Sequence, residues 1–132
     1  MEDICEKLLK EVERSYGETG KLSDDVLSAL NCLFHGTLLS ALELVDKSSV
    51  TKMTSPTGRT VFQVIGASGA PYLCLANLNY CSCPAYNFSV LKKEEHIMCK
   101  HVLAMRLSQA MNRCKKLDVT NEEITSMILS LD

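Results

Sequence analysis

Aromatic side chains are scarce in this 132-residue chain: tryptophan is absent, and phenylalanine and tyrosine together make up only 5%. Such a composition argues against a surface built to stack nucleic-acid bases. No apolar run approaches the ~20 residues that a helix needs to cross a bilayer. The first residues, Met1-Glu2-Asp3, are acidic, and no long apolar stretch follows them. The sequence therefore predicts neither a membrane span nor a secretory signal, and we expect an intracellular protein of the cytosol or nucleus.

Length and composition fit one globular domain, with 46% apolar and 23% charged residues. The net charge of −2 is unevenly spread: residues 1–50 carry −5, 51–83 carry +2, 84–116 carry +5 and 117–132 carry −4. The basic segment is either ordinary solvated surface or a face for an acidic partner or DNA phosphates. Its candidate phosphate contacts are Lys92, Lys93, Lys100, Arg106, Arg113, Lys115 and Lys116.

Residues 1–49 are predicted to be helical, with three helices separated by glycines. The apolar stripe of the first helix is expected at Ile4, Leu8, Val12 and Tyr16. The second helix is expected to begin after an N-cap at Ser23, with Asp24 and Asp25 in its first turn. Thr37 is the expected N-cap of the third helix.

Residues 50–116 are predicted to combine a small antiparallel β-meander with a metal-binding segment. Strands are expected at 50–54, 60–65 and 72–76, and Pro84 is suited to start a short helix. A longer helix is predicted over 100–114, and its apolar face comprises Leu103, Leu107, Ala110, Met111 and Cys114. Residues 117–132 form a closing helix that opens on a capping box of Thr120 and Glu123. The predicted fold class is α+β, in one compact domain.

Seven cysteines, an odd number, favour metal binding over a disulfide scaffold in an intracellular chain. Cys81-Ser82-Cys83 is followed, after fifteen residues, by Cys99-Lys100-His101. Three thiolates and one imidazole form a common structural zinc set. Residues two apart share a face of a strand but diverge on a helix. We therefore expect Cys99 just before the long helix, His101 in its first turn, and one structural zinc ion bound by these four residues.

The other cysteines and histidines are expected to have structural roles. Cys5, Cys32, Cys74 and Cys114 lie on or beside apolar faces, which favours packing in the core. His96 lies in a polar segment and is expected to be solvated.

Catalysis is not expected from this pattern. Four protein ligands close the zinc shell, whereas catalytic zinc keeps one position open for water. The strings H-E-x-x-H, H-x-E, P-C-x-x-C and G-x-x-x-x-G-K-[ST] are all absent. We predict a non-enzymatic protein with no small-molecule substrate.

The pattern C-x-C-x(n)-C-x-H resembles the SWIM zinc-finger family, whose members pair a β-hairpin with a following helix around one zinc ion. Residues 99–104 also match the extended form C-x-H-x-x-A, which is typical of the SWIM subunits of Shu complexes. The resemblance continues through residues 41–46, 55–59, 80–85 and 88–91 and covers about residues 20–130. Ala104 and Pro84 are the residues expected to support the site: Ala104 lets the helix pack closely, and Pro84 ends the strand.

This resemblance implies an obligate heteromer with a RecA-like recombinase paralogue. The pair would promote the assembly or stability of recombinase filaments on single-stranded DNA during homologous recombination, in the nucleus. The alternative is a zinc-finger module that binds DNA non-specifically through its basic helix. Sequence-specific reading is not expected, because Lys100 and His101 occupy the start of that helix and His101 is assigned to zinc.

Overall fold

The structure is a computed structural model that describes residues 2–76, 80–84 and 98–131. These residues contain five α-helices and five β-strands. In chain order the elements are α1 (Glu2–Thr19), α2 (Asp24–Phe34), α3 (Leu38–Asp46), β1 (Val50–Thr54), β2 (Thr60–Ile65), β3 (Pro71–Leu75), β4 (Tyr80–Cys81), α4 (Lys100–Ala110), β5 (Lys115–Asp118) and α5 (Asn121–Leu129). The α+β prediction is confirmed. Within the described ranges, no helix is both long and apolar enough to span a bilayer.

The strands form one sheet in the order β4-β3-β2-β1-β5. Successive strands from β1 to β4 are antiparallel, whereas β5 joins the sheet parallel to β1. The predicted bounds of β1 and β2 are confirmed, and β3 begins one residue earlier than expected. An extended segment at Cys81 and Cys83 was expected, and β4 covers the first of these residues. Strand β5 was not predicted, because it is exposed throughout and shows no alternation of burial.

Helices cover both faces of the sheet, and each face has its own apolar core. The larger core lies between the four helices α1, α2, α3 and α4 and one face of the sheet, where Val50, Phe62 and Cys74 contribute. The smaller core, on the other face, joins Met53 and Val61 of the sheet to Ile124 of α5. The capping box of Thr120 and Glu123 that begins α5 is confirmed by both of its reciprocal hydrogen bonds.

Helix α4 lies at the centre of the domain. It contacts α3 and α1 on one side and strands β1 to β4 on the other. Seven of its residues are buried: His101, Val102, Leu103, Ala104, Met105, Leu107 and Ser108. The predicted single apolar face was therefore too narrow, because both sides of the helix are covered.

The predicted end of this helix at residue 114 was also wrong. The helix stops at Ala110 because Asn112 adopts a left-handed conformation with φ 54°. The Asn112 N–H donates to the Gln109 carbonyl at 3.2 Å, and the Arg113 N–H donates to the Ser108 carbonyl at 2.7 Å. This pair of bonds is the Schellman ending, and asparagine tolerates the left-handed position it requires.

Two predictions for the N-terminal helices need correction. The buried side of α1 carries Cys5, Leu9 and Val12, whereas Ile4 is 55% exposed. A strict four-residue repeat drifts around a helix of 3.6 residues per turn, so the true stripe must step by three as well as four. Thr37 is the N-cap residue of α3, as predicted, but its side chain accepts no cap hydrogen bond; its hydroxyl donates to the Phe34 carbonyl at 3.1 Å. The cap of α2 is confirmed, since Ser23 Oγ accepts the Val26 N–H.

Candidate metal centre

Four side chains meet at the junction of β4 and α4. Cys81, Cys83, Cys99 and His101 are all buried, and their ligand atoms lie within 4.8 Å of one another. Three sulfur donors and one nitrogen donor at this separation match the ligands and the number that tetrahedral zinc takes. The spacing-based expectation that two distant pairs converge therefore agrees with the geometry.

The two pairs are held by different kinds of secondary structure. Cys81 lies in β4, where it pairs with Cys74 of β3, and Cys83 follows two residues later. Cys99 is the N-cap of α4, and its Sγ accepts the Val102 N–H at 3.4 Å. His101 lies in the first turn of that helix. Both expectations for the second pair, a cysteine before the helix and a histidine inside it, are confirmed.

The helix start also supplies favourable electrostatics for a thiolate. The N–H groups of the first turn have no partners within the helix, and the helix dipole places partial positive charge there. A cysteine at this position is stabilised as the thiolate, which is the form that binds a metal. The Val102 N–H thus favours the Cys99 thiolate, but the neighbouring thiols and burial outweigh this effect until a cation binds.

The thiols resist ionisation without a cation. The pKa of Cys81 is raised, first by hydrogen bonding with Cys74, then by hydrogen bonding with Cys83, and also by burial. The pKa of Cys99 is raised by hydrogen bonds with Cys81 and Cys83 and by burial. Crowded thiolates in a dry site repel one another, so they need a divalent cation to lose their protons together.

His101 provides a direct test of whether a metal fits. Its Nδ1 is buried and has no hydrogen-bond partner among the described residues. Such an orphaned atom is costly in a folded protein unless a ligand or ion satisfies it. The imidazole ring is also fixed in place: the Tyr72 ring lies at a centroid distance of 4.4 Å, tilted by 36°. The unpaired nitrogen and the three nearby sulfurs therefore fit a bound zinc ion.

Gly66 allows the close approach of this histidine to the β2–β3 turn. A Cβ at position 66 would lie 3.2 Å from His101 Nε2 and 2.9 Å from Cε2 of Tyr72. Glycine is needed at this position because backbone and ring meet too closely for a side chain.

The expected support residues have different surroundings. Ala104 is fully buried, as a close-packing role requires, and Pro84 is exposed. The short helix predicted to begin at Pro84 lies outside the described residues beyond that position. His96 also lies outside them.

The four remaining cysteines do not behave alike. Cys5 and Cys74 are buried as expected, and Cys114 is half-buried. Cys32 is exposed, so its predicted packing in the core was wrong; α2 buries Val26, Leu30 and Phe34 instead.

The candidate phosphate contacts do not form one free basic face. The guanidinium of Arg106 forms a salt bridge with the carboxylate of Glu6 in α1, with an N···O distance of 2.6 Å, and the Arg106 side chain is only 14% exposed. Arg113 lies 4.0 Å from Asp46 of α3, and Lys100 is half-buried. Lys115 and Lys116 are exposed on β5, at the sheet edge farthest from β4. Lys92 and Lys93 lie outside the described residues.

Sequence reasoning missed three residues that surround the ligands: Cys74, Tyr72 and Gly66. Tyr72 and Cys74 alternate along β3 and so share a face, and the register pairs Cys74 with Cys81. The signal was present in the alternation, but it could be used only once the neighbouring strand was known.

Comparison with known proteins agrees with this site. The SWIM zinc finger profile matches residues 65–107. The chain is similar to proteins named zinc finger SWIM domain-containing protein 7 from three vertebrates. The identity is 42% to the Mus musculus protein, over 96% of this chain and 84% of the relative. The identity is 46% to the Danio rerio protein, over 95% of this chain and 89% of the relative. It is 44% to the Homo sapiens protein, over 96% of this chain and 90% of the relative. No solved structure matches the chain significantly.

Proposed function

Since this chain belongs to the SWIM zinc-finger family, we propose that it is a non-enzymatic zinc-binding subunit of a Shu-type complex. In this proposal it pairs with a RecA-like recombinase paralogue in the nucleus. The pair promotes assembly or stability of recombinase filaments during homologous recombination. One zinc ion per chain has a structural role.

The observation that carries this proposal is the closed, buried set of four ligands followed by a buried alanine. Cys99, His101 and Ala104 form the C-x-H-x-x-A pattern typical of Shu-complex SWIM subunits, and all three are buried. Four protein ligands leave no coordination position for a water nucleophile, which favours a structural ion over a catalytic one.

The helical region offers a surface suited to a protein partner. A groove of about 480 Å³ runs between α1 and α2, lined by Ile4, Lys7, Leu8, Ala29, Cys32 and Leu33. Most of these side chains are apolar, and Ile4 at 55% exposure is unusually open for an isoleucine. Amphipathic helices commonly bind such grooves through a few apolar anchors.

The DNA-binding alternative finds less support. A helix that enters a DNA groove must expose one face, whereas α4 is covered by helices on one side and by the sheet on the other. Its one arginine, Arg106, is paired with Glu6. Lys115 and Lys116 stay available for non-specific contact with phosphates.

Co-expression with a RecA-like paralogue, followed by native mass spectrometry under reducing conditions, tests the proposal. We expect a heteromeric mass with one zinc ion per copy of this chain. A zinc-loaded chain that remains alone beside a folded paralogue would contradict the pairing. Binding of the chain alone to single-stranded DNA, with an affinity that falls steeply with salt, would favour the alternative.

Two matched variants locate the partner surface. Ile4→Glu places a charge in the groove, whereas Leu39→Glu places the same charge on α3 at a residue that is 71% exposed. We expect the first to weaken the heteromer and the second to preserve it. Equal effects of the two variants would show that the groove is not the contact.

A further inference from the structure

Strand β3 supplies no zinc ligand, yet one of its cysteines lies directly against the metal centre. Cys74 is fully buried and pairs with Cys81 across the β3–β4 ladder. Residues directly opposite each other in an antiparallel ladder point to the same face, so the side chains of Cys74 and Cys81 are neighbours. Cys74 does not belong to the set of four converging ligand atoms.

The position of Cys74 indicates an outer neighbour of the metal rather than a fifth ligand. Three sulfurs and one nitrogen already complete a tetrahedral zinc shell. Zinc with three thiolates carries a net charge of about −1 by formal count, and this charge is buried here. Hydrogen-bond donors around the sulfurs are the usual way to stabilise such a site.

Each ligand-bearing element has its own nearby donor. The Cys99 sulfur accepts the Val102 N–H at the start of α4. Cys81 has the buried Cys74 directly opposite it on β3. Once Cys81 binds zinc it has no proton to donate, so the remaining S–H proton of this pair belongs to Cys74.

We propose that Cys74 is a positioning residue of the metal centre, whose thiol donates an S–H···S hydrogen bond to the zinc-bound thiolate of Cys81. This inference depends on the zinc-binding part of the proposed function and is independent of any partner. In this role Cys74 forms no bond to the metal.

Two substitutions separate hydrogen bonding from packing. Cys74→Val fills a similar volume and removes the donor, whereas Cys74→Ser keeps a donor and reduces apolar contact. We expect Cys74→Val to weaken zinc affinity about 10- to 100-fold, as loss of an outer-shell partner usually does. We expect Cys74→Ser to bind zinc close to wild type while being the less stable of the two proteins. Zinc affinity is measured by competition with a chromophoric chelator on the full chain.

The matched control is Cys5, a buried thiol of α1 that lies outside the cluster. Cys5→Val and Cys5→Ser are expected to leave zinc affinity unchanged. If Cys74→Val binds zinc as wild type does while Cys74→Ser does not, packing is the role of Cys74 and the proposal is wrong. Failure of the wild-type chain to bind zinc would overturn it together with the ligand assignment, whereas failure to find a partner would leave it intact.

Cobalt substitution gives a second readout. A hydrogen bond to a thiolate lowers the energy of its donor electrons, so its loss should move the sulfur-to-cobalt charge-transfer band of Cys74→Val to longer wavelength. The band should keep its intensity, because three Co–S bonds remain. A drop in intensity to that of two Co–S bonds would show that Cys74 is itself a ligand and would overturn the proposal.

Discussion

Replacing the histidine ligand by His101→Ala is expected to release the β4 edge of the sheet while the helical core stays folded. A zinc ion at the proposed site would join Cys81 and Cys83, at this edge, to Cys99 and His101, at the start of α4. Loss of one ligand opens the shell and weakens the link. The two elements differ in what else holds them, so their responses should differ.

The helix keeps most of its stabilisation without the metal. Val102, Leu103, Met105 and Leu107 are all 0% exposed. Full burial of such a side chain contributes roughly 1.5–3 kcal/mol, so these four together contribute about 6–12 kcal/mol as an upper estimate. This amount is comparable to the whole stability of a typical domain.

Strand β4 has much less to hold it. It contains two residues, and among the described strands it pairs with β3 alone. Beside it, the Ser82 N–H donates to the Leu73 carbonyl and the Leu73 N–H donates to Ser82 Oγ, both at 3.0 Å. Hydrogen bonds of this kind contribute about 1 kcal/mol each, and the burial of Cys81 adds to them, yet β4 buries far fewer side chains than α4.

Hydrogen exchange followed by mass spectrometry measures both elements at once. In His101→Ala, amides of β4 and its neighbours in β3 should exchange much faster, whereas those of α4 and α1 should stay protected. Wild type treated with a strong chelator should show the same pattern. His35→Ala is the matched control, because His35 is exposed at the end of α2.

Two results would refute this reasoning. If α4 and α1 lose protection together with β4, zinc stabilises the whole core and the burial estimate is misleading. If the variant retains zinc and its β4 exchange is unchanged, His101 is not a ligand.

Three further predictions concern residues near α4. Ala104→Thr should cost about 1–3 kcal/mol by overpacking, since Ala104 is fully buried; an unchanged melting temperature would argue against close packing there. Gly66→Ala should weaken zinc binding in a chelator competition, because the new Cβ would lie 3.2 Å from His101 Nε2; wild-type affinity would show that the turn can shift. Glu6→Gln should destabilise the fold by about 1 kcal/mol, since it removes the charged partner of Arg106, which is half-buried. The loss should shrink in high salt, and a salt-independent loss would mean that the charge is not its cause.

The ligands of the metal centre were predictable because spacing and secondary structure fix them jointly. Cys81 and Cys83 needed a shared face on an extended segment, and Cys99 and His101 needed a helix boundary between them. Cys74 was not predictable in the same way. Its contact with Cys81 depends on the register of β3 against β4, and a two-residue strand leaves no pattern from which to deduce that register.

Helix and sheet boundaries show the same division between local and tertiary causes. The bounds of β1 and β2 follow from their β-branched residues and the intervening Pro-Gly turn, which are local features. The covering of α4 from two sides is a tertiary result, since it depends on the packing of α1 and α3 on one side and of the sheet on the other. Strand β5 is likewise assigned through its pairing with β1, because its own four residues are all exposed.

The position of α4 bears directly on what the zinc finger can do. In a finger that acts as an independent reader of DNA, the ligand-bearing helix presents a free face. Here that helix forms the interior of the domain, between the α1–α3 layer and the sheet. The metal centre at its N-terminus therefore joins a weakly paired sheet edge to the most buried element of the chain. An ion bound there would stabilise the fold that presents the α1–α2 groove. The helix that carries two of its ligands, α4, is covered on both sides and leaves no free face for nucleic acid.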